Sequence, residues 1–253
     1  MKQDRHNQIV DMITRQRTVT HAELMDRFGI SIETVRRDLG DLEQQGFMRR
    51  VYGGAVLNTS LNSEPEYTSR SKLRYREKQA IAALAATLVE PNDSVYLGVG
   101  TTVQAMAPHL KELGGITVFT NALRTAVELS ENSGCSVILP GGQLRAGELT
   151  LSGFPAEENL TYFNVDKAFI GIGGITEETV TDFHVGEAQL HRRLIRNARK
   201  SIVLAVSGKL GLRAMTNICP VSEIDILVTD SHACKDTVKA LEQAGVTVLL
   251  AKV

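Results

Sequence analysis

Two adjacent arginines, Arg36 and Arg37, lie in a segment whose residue types and spacing suit a DNA-reading helix. Arginine can donate two parallel hydrogen bonds to guanine and can also contact phosphate, so it serves both modes of DNA recognition. Ser31 precedes the arginines and can accept a hydrogen bond from a backbone N–H of the first helical turn. The pattern predicts a helix from Ser31 to about Gln45, followed by Gly46, that presents both arginines to a partner.

The residues on either side of this helix complete the pattern of a winged helix-turn-helix. A preceding helix is predicted to begin at Thr20, in a capping box with Glu23, and to end at a turn that contains Gly29. After the third helix, Gly53 and Gly54 separate two short apolar runs, which predicts a β-hairpin. In such a domain the helix after the turn enters the major groove of DNA.

The predicted DNA-binding residues lie on the third helix or on the hairpin: Ser31, Glu33, Thr34, Arg36, Arg37, Arg49 and Arg50. Base contacts are expected from Glu33, Thr34 and Arg36, and phosphate contacts from the other arginines. Three alternatives remain open. Thr34 could pack within the helix, and Arg37 could pair with Asp41 four residues on. The adjacent arginines could also form only a solvated basic face of the helix.

Composition limits the classes of function. The chain has 253 residues and a net charge of -1. Residues 1–78 carry 14 Lys+Arg against 11 Asp+Glu, and the remainder carries 14 against 18, so a net +3 is followed by a net -4. The basic front permits nucleic-acid binding. No apolar run is long enough for a membrane span, and the three cysteines are far apart without metal-ligand spacing. We therefore expect a cytoplasmic protein with no metal, no cofactor and no membrane partner.

From residue 74 onward, short apolar segments alternate with helical ones. Unbroken apolar runs are typical of strands covered on both faces, as in a mainly parallel α/β sheet. The predicted strands are Ser94–Val99, Ile116–Thr120, Ser136–Leu139, Ala168–Ile172, Ser201–Val206, Ile224–Val228 and Val246–Leu250. The predicted organisation is a DNA-binding domain over residues 1–57, a polar linker over 58–73 and an α/β domain over 74–253.

A glycine-rich loop follows the first strand of the α/β domain. Gly100, Thr101 and Thr102 open a helix, and their hydroxyl and backbone N–H groups suit a phosphate. A dinucleotide site is disfavoured because Val103 replaces the third glycine of that fingerprint and no acidic residue lies about 20 positions on. On spacing alone, a phosphate loop and a plain strand-to-helix turn both remain possible.

These segments together resemble the DeoR-type bacterial regulators. The resemblance rests on the spacing of Arg5, Ile9 and Ile13, on the segment from Ser31 to Leu39, and on a wing-like segment from Arg50 to Ala55. It extends over nearly the whole chain. It implies a winged helix joined to a sugar-phosphate-sensing domain akin to sugar-phosphate isomerases, and repression that a phosphorylated metabolite relieves. Homo-oligomers, dimers or tetramers, are expected because helix-turn-helix proteins usually read two half-sites.

The resemblance also implies an effector site at strand-end loops: Gly100, Thr101, Thr102, Asn121, Gly141, Gly142, Arg145, Gly173, Glu187 and Lys209. Lys209 is the expected charge partner of a phosphate. Asn121 could instead cap a helix, and Arg145 could instead face another subunit. His191 stands where the family has its first basic residue after Glu187.

The resemblance also bears on Asp38, Gly98 and Val206. Asp38 resembles the family's recognition-helix aspartate, and we expect it to orient Arg36, Arg37 or a neighbouring amide instead of touching DNA. Where the family commonly has aspartates, this chain has Gly98 and Val206. The phosphate-binding residues Thr101, Thr102 and Lys209 remain, so two alternatives follow: the polyol end of the effector differs from the family norm, or effector binding is weak or lost.

The leading prediction is therefore a transcriptional repressor of a carbohydrate operon, with no catalytic residue. One alternative is a sugar-phosphate isomerase with an added DNA-binding domain, which would need a base beside the carbonyl. Only Asp182 and Glu187 remain as candidates for that base. The other alternative is a regulator whose second domain serves only for assembly.

Overall fold

The computed structural model describes residues 2–58, 64–131 and 134–253. The chain divides into two compact units, Met1–Tyr75 and Arg76–Val253, and each is described separately. In the described parts of the chain, no helix combines the length and apolar character that a membrane crossing requires.

The N-terminal unit is a winged helix-turn-helix, as predicted. Its elements are α1 (Lys2–Gln16), β1 (Thr18–Thr20), α2 (His21–Phe28), α3 (Ile32–Gln44), β2 (Met48–Val51), β3 (Gly54–Leu57) and α4 (Tyr67–Lys72). The strands form an antiparallel sheet in the order β1-β3-β2. Helix α3 ends at Gln44 and Gly46 follows with φ +82°, so the glycine lies just beyond the helix, where a left-handed conformation is common.

Side-chain caps fix the boundaries of α2 and α3. Thr20 and Glu23 form both hydrogen bonds of the predicted capping box, and Gly29 ends α2 in a left-handed conformation with φ +60°. Ser31 caps α3. The core of the unit contains the predicted stripe of α3 together with apolar residues of α1, α2 and the sheet: Ile9, Val10, Ile13, Val19, Leu24, Val35, Leu39, Leu42, Met48 and Ala55. Burial of this stripe leaves the arginine side of α3 exposed to solvent.

The wing is held against β1 by a close backbone approach. A Cβ atom on Gly54 would lie 2.0 Å from the carbonyl oxygen of Val19, so only glycine fits at this point of β3. The tip of the wing consists of Tyr52, which is fully exposed, and Gly53, which has φ +82°.

The predicted linker, residues 58–73, is described only in part, since residues 59–63 lie outside the described residues. Its second half contains α4, and Leu73 packs into the core of the N-terminal unit. The division between the two units falls after Tyr75. Whether residues 58–73 act as a linker stays a prediction.

The C-terminal unit contains a seven-stranded parallel sheet in the order β15-β14-β12-β9-β4-β5-β6. Its strands are β4 (Ser94–Leu97), β5 (Thr117–Thr120), β6 (Ser136–Ile138), β9 (Val165–Gly171), β12 (Ala198–Leu204), β14 (Ile226–Asp230) and β15 (Thr247–Ala251). Each corresponds to one predicted strand, so the predicted parallel α/β architecture is confirmed.

Helices and two smaller sheets surround this sheet. The helices are α5 (Tyr75–Ala86), α6 (Thr101–Gln104), α7 (Ala107–Leu110), α8 (Leu123–Ser130), α9 (Phe154–Leu160), α10 (Val185–Asn197) and α11 (Lys235–Gln243). The smaller antiparallel sheets pair β7 (Gln143–Arg145) with β8 (Thr150–Ser152), and β10 (Gly174–Ile175) with β11 (Thr179–Asp182) and β13 (Thr216–Pro220). Neither small sheet was predicted from the sequence.

Each face of the parallel sheet is covered by its own apolar cluster. Tyr96 points into the cluster that contains residues of α9 and α10, whereas its neighbour Leu97 points into the cluster that contains residues of α5, α6 and α7. This alternation follows from the two-residue period of a strand. Because the strands are parallel, the loops after β4, β5, β9, β12 and β14 all leave the same edge, where ligands bind in open α/β sheets.

Candidate DNA interface and effector site

The start of α3 organises two of the residues that were predicted to contact bases. The Thr34 backbone N–H donates to the Ser31 hydroxyl at 3.4 Å, and the two side-chain oxygens lie 3.2 Å apart. The backbone N–H of Glu33, then the Ser31 hydroxyl, then the charge of Arg36 hold the pKa of the Glu33 carboxyl below its usual value. In the DNA-free protein, both side chains therefore interact with the helix start.

Arg36 and Arg37 are exposed on the surface of α3. Asp41, the possible partner of Arg37, forms a salt bridge with Lys2 at 2.8 Å. Among residues 2–58, 64–131 and 134–253, neither arginine forms a salt bridge. Both guanidinium groups are therefore accessible to a polyanion.

Asp38 has partners other than those predicted. It is only 1% exposed and accepts hydrogen bonds from Arg5, with Nε to Oδ2 at 2.6 Å and Nη2 to Oδ1 at 3.2 Å. The His6 Nε2 atom lies 3.0 Å from Oδ1. Burial acts to raise the pKa of Asp38, but the hydrogen bonds from Arg5 and His6 outweigh it and hold that pKa below the usual value. The predicted local contact of Asp38 with Arg36, Arg37 or a neighbouring amide is not found, because its hydrogen-bond partners are Arg5 and His6 of α1.

The two wing arginines differ in their surroundings. The Arg50 backbone N–H and guanidinium Nε donate to the two carboxylate oxygens of Glu43, at 2.7 and 2.6 Å. These contacts, the backbone one first, lower the pKa of the Glu43 carboxyl. Arg49 is exposed and has no carboxylate partner in the described chain. The charge of Arg50 is thus partly neutralised before DNA arrives, whereas that of Arg49 is not.

Because of this difference, replacing Arg49 and replacing Arg50 by alanine should change the salt dependence of DNA affinity unequally. Arg49→Ala should lower the slope of log affinity against log salt by about 1, because one phosphate contact and its released counterion are lost. Arg50→Ala should change the slope less, because Glu43 already holds the guanidinium. Fluorescence anisotropy with a random duplex over a salt series measures both slopes. Glu43→Gln is the matched variant and should steepen the slope, since it frees Arg50. Equal slope losses in the two alanine variants would show that Arg50 leaves Glu43 for phosphate.

In the C-terminal unit, the predicted phosphate loop connects β4 to α6 and lies against the end of β9. Gly100 has φ +121° and precedes α6, with Thr101 half-buried and Thr102 buried. A Cβ atom on Gly171 would lie 2.3 Å from the carbonyl oxygen of Val99, so the exit of β9 passes directly against the loop. The glycines bring backbone groups of two strand ends together, which suits the approach of a small anion.

Lys209 lies beside this edge, on a 3₁₀ turn (Ser207–Lys209) that follows β12. Its ammonium group donates to the carbonyl oxygen of Ile172, which precedes Gly173 in the loop after β9. The turn is anchored by Asp230, a fully buried carboxylate at the end of β14 that accepts from the Ser207 N–H at 2.7 Å. Asp230 was not among the predicted site residues, although an aspartate that ends an apolar strand was a usable signal.

Asn121, Arg145 and Glu187 form a second polar group. Buried Asn121 accepts from the Tyr96 hydroxyl and donates to the carbonyl oxygen of Leu151 at 3.0 Å. Glu187 is also buried and accepts from Arg145 Nη1 at 2.7 Å.

The partners of this group explain how it is held. Thr150, in β8, donates to the Glu187 carboxylate at 2.9 Å, and Arg145 reaches the same carboxylate from β7. Burial first, and then the charge of Glu187, raises the pKa of Tyr96. Asn121 thus links β4 to β8 through its side chain, and Arg145 is paired with Glu187. Tyr96 and Thr150, which supply hydroxyls to this network, were not among the predicted site residues.

Gly141 and Gly142 lie in an exposed loop that leads into β7, with φ +74° and φ +110°. A Cβ atom on Gly142 would lie 2.6 Å from the carbonyl oxygen of Ser152. These glycines therefore shape the β7–β8 hairpin. In the described part of the chain, neither glycine forms a backbone hydrogen bond with the phosphate loop.

The two positions without the expected aspartates are both packed against neighbours. A Cβ atom on Gly98 would lie 3.0 Å from Nε2 of His191, whose ring is fully buried on α10. Asp182 Oδ2 lies 3.6 Å from Nδ1 of the same ring. Val206 is buried in the apolar cluster on the opposite side of the sheet. A carboxylate at position 98 would meet the imidazole, and one at 206 would enter the core.

Comparisons with known proteins agree with this architecture. The profile of the DeoR-like helix-turn-helix domain matches residues 5–61, and that of the DeoR C terminal sensor domain matches residues 73–231. The HTH-type transcriptional regulator GolR of Listeria innocua is 34% identical over 98% of both chains. The glycerol-3-phosphate regulon repressor of Escherichia coli is 31% identical over 91% of this chain and 92% of its own.

Among solved structures, a ribose 5-phosphate isomerase from Methanocaldococcus jannaschii is similar over 53% of each chain, with 19% identity and a TM-score of 0.39. The two domain profiles together cover most of the sequence, and the relatives named above match it nearly from end to end. The chain therefore belongs to the DeoR family of helix-turn-helix transcriptional regulators.

Proposed function

We propose that this DNA-binding regulator represses a sugar-related operon and leaves its operator when a phosphorylated sugar binds the C-terminal unit. One observation carries the DNA-binding part: the capped helix α3 exposes Arg36 and Arg37 without a salt bridge in the described residues, beside a wing that carries two more arginines. Exposed arginines on the helix after the turn suit base and phosphate contacts. Ser31, Glu33 and Thr34 complete the proposed contact surface.

The proposed effector site lies at the carboxyl edge of the parallel sheet. Gly100, Thr101 and Thr102 would receive the phosphate, with Lys209 and the loop at Gly173 beside it. Lys209 is already held near this loop by the carbonyl oxygen of Ile172. The hydroxyls of the sugar would meet the second polar group, in which Glu187 and Arg145 are paired and Asn121 is buried.

We infer that the C-terminal unit senses its ligand without converting it. An isomerase would need a carboxylate available to remove a proton beside the carbonyl. Glu187 is held by Arg145 and Thr150, and Asp182 accepts from the backbone N–H of Phe183 at 2.7 Å. Both remaining candidates for a base are therefore occupied, which supports regulation over turnover. The relatives named above are likewise regulators or repressors by name.

The working assembly is proposed to be a homo-oligomer, at least a dimer. Two operator half-sites require two recognition helices. Large apolar side chains are exposed around the β7–β8 hairpin and α9, among them Leu144, Phe154 and Tyr162. Such side chains favour a protein contact, and a second copy of this chain is the contact that operator symmetry calls for.

The proposal is tested by two measurements on the full-length protein. Selection from a randomised duplex library should yield a defined operator. Thermal unfolding with a panel of sugar phosphates should raise the melting temperature by roughly 5 °C or more for a ligand at 100 times its Kd, because ligand binds only the folded state. The unphosphorylated sugars serve as controls. A selected operator without any thermal shift would favour a domain used only for assembly, and turnover of a sugar phosphate would favour the enzyme.

A further inference from the structure

The recognition helix is attached to α1 by a buried charged cluster. The carboxylate of Asp38 lies on the core side of α3, and the Arg5 guanidinium contacts both of its oxygens. His6 supplies a third contact, at 3.0 Å, and is itself buried. All other buried side chains of α3 are apolar: Val35, Leu39 and Leu42.

Such a cluster determines the orientation of the helix more than it stabilises the folded unit. Removing two charges from water costs free energy that their attraction only partly offsets, so apolar residues in place of the whole cluster would stabilise the unit about as well. A bidentate contact between guanidinium and carboxylate, however, tolerates little change in the relative orientation of the two groups. The cluster therefore fixes the rotation of α3 about its own axis, which apolar packing alone specifies more loosely.

Rotation of α3 matters because Arg36 and Arg37 lie on either side of its outward face. Successive residues of a helix are about 100° apart, so the angle of Asp38 sets the angle of both arginines. A rotation of about 20° moves a point at a radius of about 6 Å by roughly 2 Å. Hydrogen bonds to base edges do not survive such a displacement. Contacts with phosphate are less affected, because a flexible side chain can follow a charge.

We propose that Arg5 and His6 are positioning residues for DNA recognition, which set the orientation of Arg36 and Arg37 through Asp38 without touching a base. This inference rests on the proposed DNA-binding function. It predicts that loss of Arg5 or of the Asp38 charge lowers the preference for the operator over other DNA, and not general DNA affinity.

Two other roles for the cluster are disfavoured by its contacts. A direct phosphate contact by Arg5 is disfavoured, because its Nε and Nη2 atoms already donate to Asp38 and its side chain is only 21% exposed. The ligand atoms of His6, Asp38 and Asp41 lie within 4.8 Å of one another, a spacing that a metal ion could use. Arg5 and Lys2 already neutralise the two carboxylates, so a further cation is not favoured.

The test compares two DNA probes for each full-length variant. One probe is the duplex that the unaltered protein selects from a random library, and the other is a scrambled duplex of equal length. Arg5→Ala and Asp38→Asn should lower affinity for the selected duplex about tenfold or more, while affinity for the scrambled duplex changes less than about threefold. The matched control is Lys2→Ala, which removes a positive charge from α1 and leaves Asp38 paired. It should leave the ratio of the two affinities unchanged.

A double variant separates positioning from a merely structural role. In an Arg36→Ala background, Arg5→Ala should lower the ratio much less than it does alone, since the side chain that it positions is absent. Each affinity is measured well below the melting temperature of the variant and is corrected for the fraction of protein that binds DNA. If Arg5→Ala does not fold, His6→Gln is the milder variant. Arg5→Lys, which cannot form the two-pronged contact, should restore the ratio only in part.

Two results would overturn the inference. Equal losses on both duplexes, with a lower salt slope, would mean that Arg5 contacts phosphate directly. A lower melting temperature with an unchanged ratio would mean that the cluster serves folding only. Failure of the unaltered protein to select any duplex would instead contradict the proposed DNA-binding function, so the two failures are distinguishable.

Discussion

A Lys209→Met variant should bind its operator like the unaltered protein and should release it only at about 10- to 150-fold higher concentrations of the phosphorylated effector. A hydrogen bond to a charged group contributes about 1.5–3 kcal/mol, which sets this range. Lys209 lies in the C-terminal unit, on the turn after β12, whereas the proposed DNA contacts lie in the N-terminal unit. Loss of its charge should therefore reduce effector binding and leave DNA binding intact.

The measurement is an operator-release titration by anisotropy, together with effector binding by calorimetry. Because effector and operator are coupled through the same protein, both titrations should shift in the same direction. Lys239→Met, an exposed lysine on α11, is the control for loss of a lysine charge. Lys209→Arg should retain part of the response. If Lys209→Met itself loses operator affinity, its bond to the Ile172 carbonyl is structural, and the phosphate site must be placed elsewhere.

The architecture could be predicted because its signals are local and periodic. The seven strands of the parallel sheet are unbroken apolar runs, and such runs stand out from the polar loops around them. The recognition helix carries a cap at Ser31 and an apolar stripe through Val35 and Leu39, both of which are readable along the chain. Local propensity and burial agree in these segments, so sequence and structure coincide there.

The small antiparallel strands escaped prediction for a physical reason. Three of the five strands in the two small sheets, β7, β8 and β10, have only two or three residues each, too few for a periodic pattern to emerge. They exist because neighbouring chain segments hold them, as when the Leu151 N–H donates to the Asn121 carbonyl oxygen at 2.8 Å. Such support is tertiary, and no local signal encodes it.

Partners across long sequence separations were likewise not predictable. Asp38 was expected to act on its helix neighbours, yet its partners lie 32 and 33 residues away on α1. Arg145 reaches Glu187 across 42 residues. Charge types indicate that pairs will form, but only the packing of elements decides which pairs. The candidate effector residues were therefore predictable as loop positions and not as a network.

The structure explains why a glycine, and not the family's common aspartate, occupies position 98. The His191 ring lies where a larger side chain at position 98 would extend, so the small residue and the buried imidazole fit each other. Val206 is part of the apolar core. Neither position can offer a carboxylate to the sugar, which leaves Glu187, already paired with Arg145, as the acidic group of the second polar group.

An Arg36→Ala variant should lose about 1–3 kcal/mol of binding free energy on the selected operator, or roughly 5- to 150-fold in affinity. Arg36 is exposed on α3, which is the helix that enters the major groove in this class of domain. A two-pronged contact with guanine is the commonest specific contact that arginine makes there. On a scrambled duplex the loss should be much smaller, because no fixed base is read.

Arg37→Ala is the matched variant, since it removes the same side chain from the adjacent position of the same helix. Arg37 is expected to meet phosphate, so its loss should weaken both duplexes alike and lower the salt slope by about 1. Repeating the library selection with Arg36→Ala should relax one position of the operator, whereas the Arg37→Ala variant should select the original sequence. If Arg36→Ala weakens scrambled DNA as much as the operator, Arg36 contacts phosphate, and base reading must come from Glu33 or Thr34.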